Sequence, residues 1–382
     1  MREEWKYKKL GEVCTIKAGY TPQKNELSDN GAYPYYKVAD MNTLGNDVYL
    51  DITYSYKIDA NKLFPKGAIV FPKNGAAVST NKKRILKYDS IVDLNTGVAI
   101  FPKSINEKFA YYWFIDTDFK KYVRGGALPT LDIKSLKDKP FPSIDKSIQL
   151  AIVSELDKIN ELIRLKKEQL KDFDNLAQSI FYEMFGDPVE NEMGWEVSTY
   201  SKCFNIGSGG TPSKSVPEYW DNGNIPWIGS NMCQNCIITE TDGKFITQEG
   251  LNNSSTKYLE VGTVLVALVG ATIGKVALLR TPTCTNQNVA FIKANESKDF
   301  VPEYVFYNLM GQYEEFMKIG KGNFKMANQA FIKALPILSP PLPLQQLFAH
   351  RIEQIEHQKA EVQKAITDLE TLLASRMQYW FE

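Results

Sequence analysis

Histidine and cysteine are scarce in this 382-residue chain, and their positions exclude several kinds of site. The two histidines, His350 and His357, lie one heptad apart in a predicted helix, so catalysis through a histidine base is not expected. Five scattered cysteines indicate a reducing compartment rather than a disulfide framework. Cys233 and Cys236 have the spacing of zinc ligands, but a structural zinc site needs four ligands, and we expect no bound metal.

Long hydrophobic runs are also missing. The longest apolar run, residues 264–269, is much shorter than the roughly 20 residues that span a bilayer. The first residues are charged and contain no apolar segment of the kind found in signal peptides. We therefore expect a cytoplasmic protein without a membrane partner.

The chain has no net charge, because 45 Lys and Arg balance 45 Asp and Glu. This balance does not hold locally. Residues 1–144 contain 23 basic and 16 acidic side chains, whereas residues 187–339 contain 12 basic and 15 acidic ones. The asymmetry suggests that the first region meets an anion and that other regions meet protein.

Several short motifs occur twice in the same order. Gly19-Tyr20-Thr21-Pro22 recurs as Gly209-Gly210-Thr211-Pro212, and Trp5 recurs as Trp195. The other pairs are Gly67-Ala-Ile-Val-Phe with Gly262-Thr-Val-Leu-Val, Gly75-Ala76 with Gly270-Ala271, and Asn95-Thr-Gly-Val-Ala-Ile with Asn286-Gln-Asn-Val-Ala-Phe. The common order indicates an internal duplication.

Each copy ends in a heptad pattern of apolar residues, and the two patterns have the same phase at an offset of 196. A seam sustained over several heptads predicts two long helices that pair as a coiled coil. The seam consists of Ile152, Leu156, Ile159, Ile163, Leu170, Phe173, Ala177, Ile180 and Met184 in the first helix, and of Phe348, Ile352, Ile355, Val362, Ile366, Leu369, Leu373 and Trp380 in the second.

The segments before these helices are rich in Tyr, Val, Ile, Thr and Phe, with Gly, Pro and Asn between short runs, which predicts strands and turns. One amphipathic helix is expected in each, near Glu107–Val123 and Pro302–Met317. The predicted fold class is α+β, with two mixed α/β domains joined by two long helices that form an antiparallel coiled coil with a pseudo-two-fold axis. The expected boundaries are residues 1–144 (head 1), 145–186 (first long helix), 187–339 (head 2) and 340–382 (second long helix).

A duplicated chain of this kind imitates a dimer. A dimer with two-fold symmetry reads two half-sites on DNA at a separation that the protein sets. Here the two heads have diverged in sequence, so they would read two different half-sites. The pattern favours recognition of an asymmetric bipartite target.

Two segments carry a resemblance to a known family. Gly209-Gly210-Thr211-Pro212, with Tyr219-Trp220 and Ile225-Pro226-Trp227-Ile228, looks like the opening of a target recognition domain. Residues 337–345 are similar to the Pro-Pro-Leu-x-Glu-Gln run before that family's long helices, with Leu344 where glutamate is usual, and the first copy retains mainly Gln149. The chain thus resembles the specificity (S) subunit of type I restriction–modification enzymes over essentially its whole length.

The resemblance implies a DNA-binding subunit that catalyses no reaction and holds no cofactor. S subunits bind double-stranded DNA and two methyltransferase (M) subunits, and with two restriction (R) subunits they form the nuclease. The M subunits supply S-adenosylmethionine binding and adenine methylation, and the R subunits supply ATP-driven translocation and cleavage. The coiled coil and nearby faces are the expected docking surface for M.

Two alternatives stay open. Ser339-Pro340-Pro341-Leu342 suggests a self-contained DNA methyltransferase, but leucine cannot stack on a flipped base as that motif's aromatic residue does. The acidic head 2 suggests a coiled-coil scaffold that binds protein alone, because DNA contacts are normally basic. The run from Gly270 to Lys275 is one residue short of a phosphate-binding loop and is interpreted as a tight turn between strands.

Basic and amide side chains near glycine are the candidate DNA contacts, because Lys and Arg position phosphates whereas Asn, Gln and Arg can read base edges. The candidates are Lys82, Lys83, Arg84, Lys120, Lys121 and Arg124 in head 1, and Lys318, Lys321, Asn323, Lys325, Asn328 and Gln329 in head 2.

Overall fold

A computed structural model describes residues 5–57, 63–125, 128–295, 300–319 and 326–382. The chain divides into two compact units, each of which takes part of both long helices. Unit 1 comprises Met1–Lys167 and Lys364–Glu382, and unit 2 comprises Glu168–Gln363.

Head 1 consists of short strands and short helices and leads into a long helix. Its strands β1–β13 are Lys6–Lys9, Thr15–Ala18, Leu27–Ser28, Tyr33–Tyr36, Tyr49–Leu50, Tyr56–Lys57, Ile69–Pro72, Arg84–Leu86, Ile91–Val92, Thr96–Ile100, Val123–Arg124, Thr130–Leu131 and Pro140–Ser143. The helices α1–α4 are Leu10–Val13, Glu107–Asp116, Ile133–Lys137 and Lys146–Phe185.

A five-stranded sheet of order β2-β10-β7-β8-β5 forms the centre of head 1. Ile69 and Phe71 on one face pack in the core that includes α2, whereas Val70 and Val98 on the other face pack with Tyr36 of a four-stranded sheet, β3-β6-β4-β9. Both faces of β7 are therefore covered, which explains why this strand is a continuous apolar run rather than an alternating one.

Head 2 repeats this organisation and also leads into a long helix. Its strands β14–β24 are Glu196–Thr199, Phe204–Ser208, Ile225–Ile228, Cys236–Ile238, Phe245–Ile246, Tyr258–Leu259, Val264–Ala267, Val276–Leu279, Thr283–Thr285, Val289–Ala294 and Pro336–Ser339. The helices α5–α10 are Tyr200–Cys203, Gln248–Asn252, Pro302–Gly311, Tyr313–Met317, Gln329–Ala334 and Leu342–Phe381.

The five-stranded sheet of head 2 has the order β15-β23-β20-β21-β17, which is strand for strand the order in head 1. The smaller sheets differ at their margins. In head 2, β19 pairs with β22 at one side of the small sheet, whereas head 1 has only a single bridge between Phe64 and Ser90 at the matching place. Head 1 instead has an additional strand, β3, which pairs with β6 at the opposite side of its small sheet. The α+β fold and the internal repeat predicted from the sequence are confirmed.

The two amphipathic helices are shorter than predicted. The first ends at Asp116, because Thr117 leaves helical geometry and the Asp118 side chain then caps a separate turn by accepting a hydrogen bond from the Lys120 amide. The second is interrupted at Gln312, whose buried side-chain amide donates to a backbone carbonyl outside the helix. The stretches following residue 116 and residue 311 are therefore not continuations of one helix.

The long helices α4 and α10 run antiparallel within each unit, as predicted. In unit 1, Glu155 forms an ion pair with Arg376, and Lys167 forms one with Glu370 at 2.8 Å. In unit 2, Lys359 of α10 lies 2.8 Å from the Asp174 carboxylate of α4. No helix in the described ranges is both long and apolar enough to cross a bilayer.

The predicted seam is buried over much of its length, but its ends shift by one residue. At matched positions, Phe181 and Phe185 of α4, and Met377 and Phe381 of α10, are buried beside partly exposed seam residues. A straight helix has 3.6 residues per turn, so a 3.5-residue pattern drifts off the contact line. The buried seam residues are Ile152, Leu156, Ile159, Ile163, Ala177, Phe348, Ile352, Ile355, Val362 and Ile366, and the half-buried ones are Leu170, Phe173, Ile180, Met184, Leu369, Leu373 and Trp380.

A buried glutamine fastens the first turn of each long helix to its head. The Gln149 Oε1 atom accepts a hydrogen bond of 2.8 Å from the Asn106 amide at the start of α2. The Gln345 Oε1 atom accepts one of 3.1 Å from the Val301 amide at the start of α7. In each case the side-chain NH₂ donates to a carbonyl just before the long helix, so both ends of the buried amide are satisfied.

Candidate nucleic-acid interface

The loops of head 1 gather along one edge of its five-stranded sheet. At this edge β2 and β7 end and β10 and β8 begin, because Gly97 pairs with Ala18 and Thr96 pairs with Pro72. In head 2, the ends of β15 and β20 and the starts of β23 and β21 form the same edge. We call this the loop edge of each head.

Three of the five repeated motif pairs, those that begin at Gly19, Gly75 and Asn95 in head 1, lie on the loop edges, and the structure corrects one of their alignments. Thr96 pairs with Pro72, and Val289 pairs with Ala267 at the equivalent place, so β10 and β23 begin at these residues. The turn that precedes Thr96 therefore matches the turn that precedes Val289. The alignment of Asn95 with Asn286 was wrong by two residues, because the matching Val-Ala pairs lie at different heights on the two strands.

The hairpin β11–β12 packs against the loop edge of head 1. The Gly75 amide donates to the Pro129 carbonyl at 2.8 Å, and the Leu131 amide donates to the Lys73 carbonyl at 2.9 Å. The turn before the hairpin is held by the Asn81 side chain, which accepts from the Phe119 amide at 2.9 Å. Residues 81–84 and 120–124, which are distant in sequence, are thereby brought to one edge.

Four of the predicted DNA contacts of head 1 lie accessible at this edge. Lys120 and Lys121 are exposed on the turn before β11. The Arg124 side chain is 70% exposed and forms an ion pair with Asp132, whose pKa lies below its usual value mainly because Ser135 hydrogen-bonds the carboxylate. Lys82 is half-buried and donates to the Asn42 side chain. Their contact with DNA stays a prediction.

Lys83 is not available for a DNA phosphate, which corrects the sequence-based choice. Its side chain is fully buried, and the ammonium donates to the Asn81 side chain at 2.6 Å and the Thr117 carbonyl at 2.8 Å. The ammonium also lies 4.1 Å from the centre of the Phe119 ring. Burial penalises the charged form and lowers the pKa of Lys83 to about 7. Lys83 therefore stabilises the end of α2 from inside the head.

Arg84 is likewise occupied within head 1. Its guanidinium donates to the backbone carbonyls of Lys83, Met41 and Asn46, with 2.7 Å and 2.8 Å for the first two. An arginine has five N–H donors in a planar fork, and here the fork is aimed at the protein's own loop. We therefore assign Arg84 to holding residues 41–46 rather than to a phosphate.

In head 2, three of the predicted contacts fall within the described part of the chain. Lys318 is exposed and forms an ion pair with Glu315. Asn328 caps α9 by accepting from the Phe331 amide, and Gln329 donates to the Ser208 hydroxyl at 3.0 Å, at the end of β15. Lys321, Asn323 and Lys325 lie outside the described residues.

Sequence reasoning missed the turns between the two sheets of each head. These turns present Leu94 in head 1 and Gln287 in head 2, both exposed. Lys73 and Asn74 lie beside the first turn, where the Lys73 amide donates to the Asn95 carbonyl at 2.8 Å. The repeated asparagine motif was the available signal in the sequence, but a search for clusters of basic residues does not detect it.

The local structure explains the two motifs that could have indicated a phosphate-binding loop or a zinc site. The segment from Gly270 to Lys275 forms the tight turn between β20 and β21, as predicted. Cys233 is buried, and the Cys236 thiol lies 3.4 Å from the Met232 carbonyl. Within the ranges that the structure describes, no three His, Cys, Asp or Glu side chains converge as metal ligands would. The loop edge of head 1 instead offers the exposed positive charges of Lys120, Lys121 and Arg124.

These observations define a class of protein: a duplicated α+β chain whose heads share one sheet topology and one loop edge and whose long helices run antiparallel. A family model described as the type I restriction modification DNA specificity domain matches residues 2–172 and again residues 192–371. The chain belongs to this family, and each match covers nearly all of one head.

Curated relatives carry the same description in their names. The chain is 26% identical over 227 residues to the EcoR124I/EcoR124II specificity subunit of Escherichia coli, a match that covers 56% of this chain and 54% of that protein. It is 22% identical over 421 aligned positions to the MjaIX specificity subunit of Methanocaldococcus jannaschii, which covers 97% of this chain and 91% of the relative. The chain thus matches about half the length of the first relative and most of the second.

Solved structures share the fold. The S subunit of a type I restriction–modification system from M. genitalium superimposes with a TM-score of 0.54 and 14% identity, over 100% of this chain and 98% of that one. A chain from a study of complex assembly and conformational transition of the type I R-M system gives a TM-score of 0.63 and 17% identity, with the same coverage.

Proposed function

We propose that this chain is the DNA-binding specificity subunit of a type I restriction–modification complex, in which each head reads one half of an asymmetric bipartite target in double-stranded DNA. One observation carries the proposal: the two loop edges have the same backbone arrangement but carry different side chains. Equal backbones would place both edges against DNA in the same way, and different side chains would select different bases.

Within this function, we infer that the chain directs two M subunits and two R subunits to the target and catalyses no step itself. Membership of the specificity family supports this division of work. The purified chain alone should therefore show no methylation, ATPase or cleavage. Activity that persists after removal of M and R would contradict the inference.

The proposed phosphate contacts of head 1 are Lys82, Lys120, Lys121 and Arg124, at the loop edge. Head 1 also has a basic excess, whereas head 2 has more acidic than basic residues. Counterion release makes each phosphate contact sensitive to salt. We therefore expect head 1 to supply more of the salt-dependent affinity than head 2.

The direct test is to express the chain with its M partner and to sequence the methylated adenines of the host genome. The proposal predicts one motif with two unlike half-sites separated by a fixed number of unspecified bases. M expressed without the chain is the control and should leave no such motif. A continuous motif, or methylation that does not depend on this chain, would overturn the proposal.

A further inference from the structure

The turn between the two sheets has the same architecture in both heads. In head 1 the Asp93 carboxylate accepts a hydrogen bond of 3.0 Å from the Asn95 amide, and in head 2 the Asn286 side-chain oxygen accepts one of 3.0 Å from the Asn288 amide. Both are Asx turns, in which the side-chain oxygen accepts a hydrogen bond from the backbone amide two residues later. We call residues 93–95 and 286–288 the Asx turns of the two heads.

Matched backbone hydrogen bonds fix both Asx turns to their sheets. The Asp93 amide donates to the Tyr36 carbonyl at 3.0 Å, and the Asn286 amide donates to the Ile228 carbonyl at 3.1 Å. On the other side, the Asn95 carbonyl accepts from the Lys73 amide, just as the Asn288 carbonyl accepts from the Leu268 amide, both at 2.8 Å. Each turn is therefore held on one flank by a strand and on the other by the residue that directly follows a strand.

The glycine–threonine–proline motif supports each turn from beside it. A Cβ atom at Gly19 would lie 2.1 Å from the Asp93 carbonyl oxygen, and one at Gly209 would lie 2.1 Å from the Thr285 carbonyl oxygen. Glycine is thus required at both places, because any side chain would displace the backbone of the turn in head 1 and the backbone just before the turn in head 2. This contact explains why the motif occurs in both copies.

The residues at the tips of these turns differ in chemistry. Leu94 is 54% exposed although it is apolar, and Gln287 is exposed with an amide group. The neighbouring threonine adapts to each: Thr21 Oγ1 accepts from the Leu94 amide at 3.4 Å, whereas Thr211 Oγ1 donates to the Gln287 Oε1 atom at 2.6 Å. Thr211 therefore restrains the rotation of the Gln287 amide and leaves its NH₂ group available.

We propose that Leu94 and Gln287 contact base edges and help to determine which base each head prefers at one position of its half-site. This proposal rests on the proposed function, which it deepens. A rigid turn with an exposed side chain at its tip suits direct readout, because the side chain is positioned before DNA binds. Leu94 packs on the methyl group of a thymine, and Gln287 pairs with adenine through its amide, the partners that their chemistry favours in the major groove. Thr211 is a positioning residue for Gln287.

The test exchanges the two tip residues, with Leu94→Gln and Gln287→Leu made separately in the chain bound to its M partner. Both side chains are exposed, so the fold should not change. For each variant, affinity is measured on oligonucleotides in which every base of the methylated motif is changed in turn. We expect Gln287→Leu to lower the preference for adenine at one position of one half-site by roughly 5- to 150-fold. Leu94→Gln should change the preference at one position of the other half-site.

Two further variants sharpen the test. Val261→Gln is the control, because Val261 is 53% exposed just before β20, at the edge opposite the loop edge, and should leave every preference unchanged. Thr211→Val should weaken the same adenine preference as Gln287→Leu, and Thr211→Ser, which keeps the hydroxyl, should restore it. A uniform loss of affinity without a change in base preference would overturn the inference, as would unaltered preferences in both tip variants. Either result would leave the proposed function intact if the wild-type motif is bipartite, whereas the absence of such a motif would refute the function itself.

Discussion

The two heads share their backbone and differ in the side chains that the backbone carries. Both contain a five-stranded sheet of one strand order, a buried glutamine at the start of the long helix and an Asx turn at the loop edge. At the base of β8, however, head 1 buries the cationic side chain of Lys83, whereas the matching position of β21 in head 2 is the apolar Val276. The duplicated sequence has therefore kept the hydrogen bonds that define the fold, while charge and polarity have diverged on and near the loop edge.

The largest expected effect tests whether each head depends on its own helix end. The ring of Phe381 packs against that of Phe109 in the core of unit 1, with the ring centres 5.6 Å apart. The matched Phe185 packs against Tyr304 in the core of unit 2, with the ring centres 4.8 Å apart. Truncating either one to alanine should destabilise its unit by about 3–5 kcal/mol, because a buried aromatic ring leaves a cavity. Hydrogen exchange of β7 and β20 reports on the two units: Phe381→Ala should expose β7, and Phe185→Ala should expose β20. Equal loosening of both strands in either variant would show that the cores are not separate.

The second prediction concerns the buried glutamine at the start of each long helix, which has the same hydrogen bonds in both heads. In Gln149→Ala and in Gln345→Ala, the backbone amide at the start of the neighbouring helix loses its buried hydrogen-bond acceptor. The free energy of unfolding of the corresponding unit should fall by about 1–3 kcal/mol. Unfolding of the two variants by denaturant measures the losses. A loss confined to one of the two variants would mean that the glutamines are not equivalent in energy despite their equal geometry.

The third prediction separates the heads by pH. Burial lowers the pKa of Lys83 in the folded head to about 7 from its usual value of 10.5, so between these values the unfolded chain binds a proton that the folded chain does not. Stability of unit 1 should therefore rise with pH in this window, by at most about 1.4 kcal/mol per pH unit, and fall as pH drops towards 7. Lys139, which donates to the Thr117 hydroxyl and has a pKa lowered to about 8 by burial, adds to the same trend.

Replacing Lys83 with methionine should flatten this dependence, because the buried titrating group is removed. The measurement is the unfolding midpoint of unit 1 between pH 7 and pH 9, and Lys120→Met, at an exposed site, is the matched control. Unit 2, which has Val276 at the equivalent position, should lack this component. An unchanged slope in Lys83→Met would contradict the assignment of the pH dependence to Lys83.

The smallest expected effect concerns the charge of the loop edge in head 1. Lys121→Ala should weaken DNA binding of the complex with M evenly across sequences and reduce the slope of log affinity against log salt by about one. Lys66 is exposed before β7, at the opposite edge of the same sheet, and Lys66→Ala should leave the slope unchanged. If the two variants gave the same slope, the loop edge would not be the phosphate-binding surface of head 1.

Much of the fold could be predicted because its signals are periodic. The heptad pattern predicted two antiparallel long helices, and α4 and α10 confirm them. The pattern missed Phe181, Phe185, Met377 and Phe381, because a fixed heptad does not follow the drift of a straight helix as it reaches the core of a head.

The contact residues were harder to predict, because charge in a sequence does not reveal burial. Lys83 and Arg84 belong to a basic run that suggests an exposed loop, yet Lys83, just before β8, is buried and bonded to the Thr117 carbonyl at the end of α2. Leu94 was not predicted as a contact residue, because a single apolar residue in a polar turn is part of no recognisable sequence pattern. Its position became evident once the strand pairing aligned it with Gln287.

The central claim is that the two heads read different half-sites independently. The most direct measurement is to replace residues 1–140 with the equivalent head of a relative, to express the chimera with the M partner and to sequence the methylated adenines. The account predicts that one half-site of the motif changes and that the other keeps its sequence. If both half-sites changed together, or if neither changed, the two heads would not be independent readers of DNA.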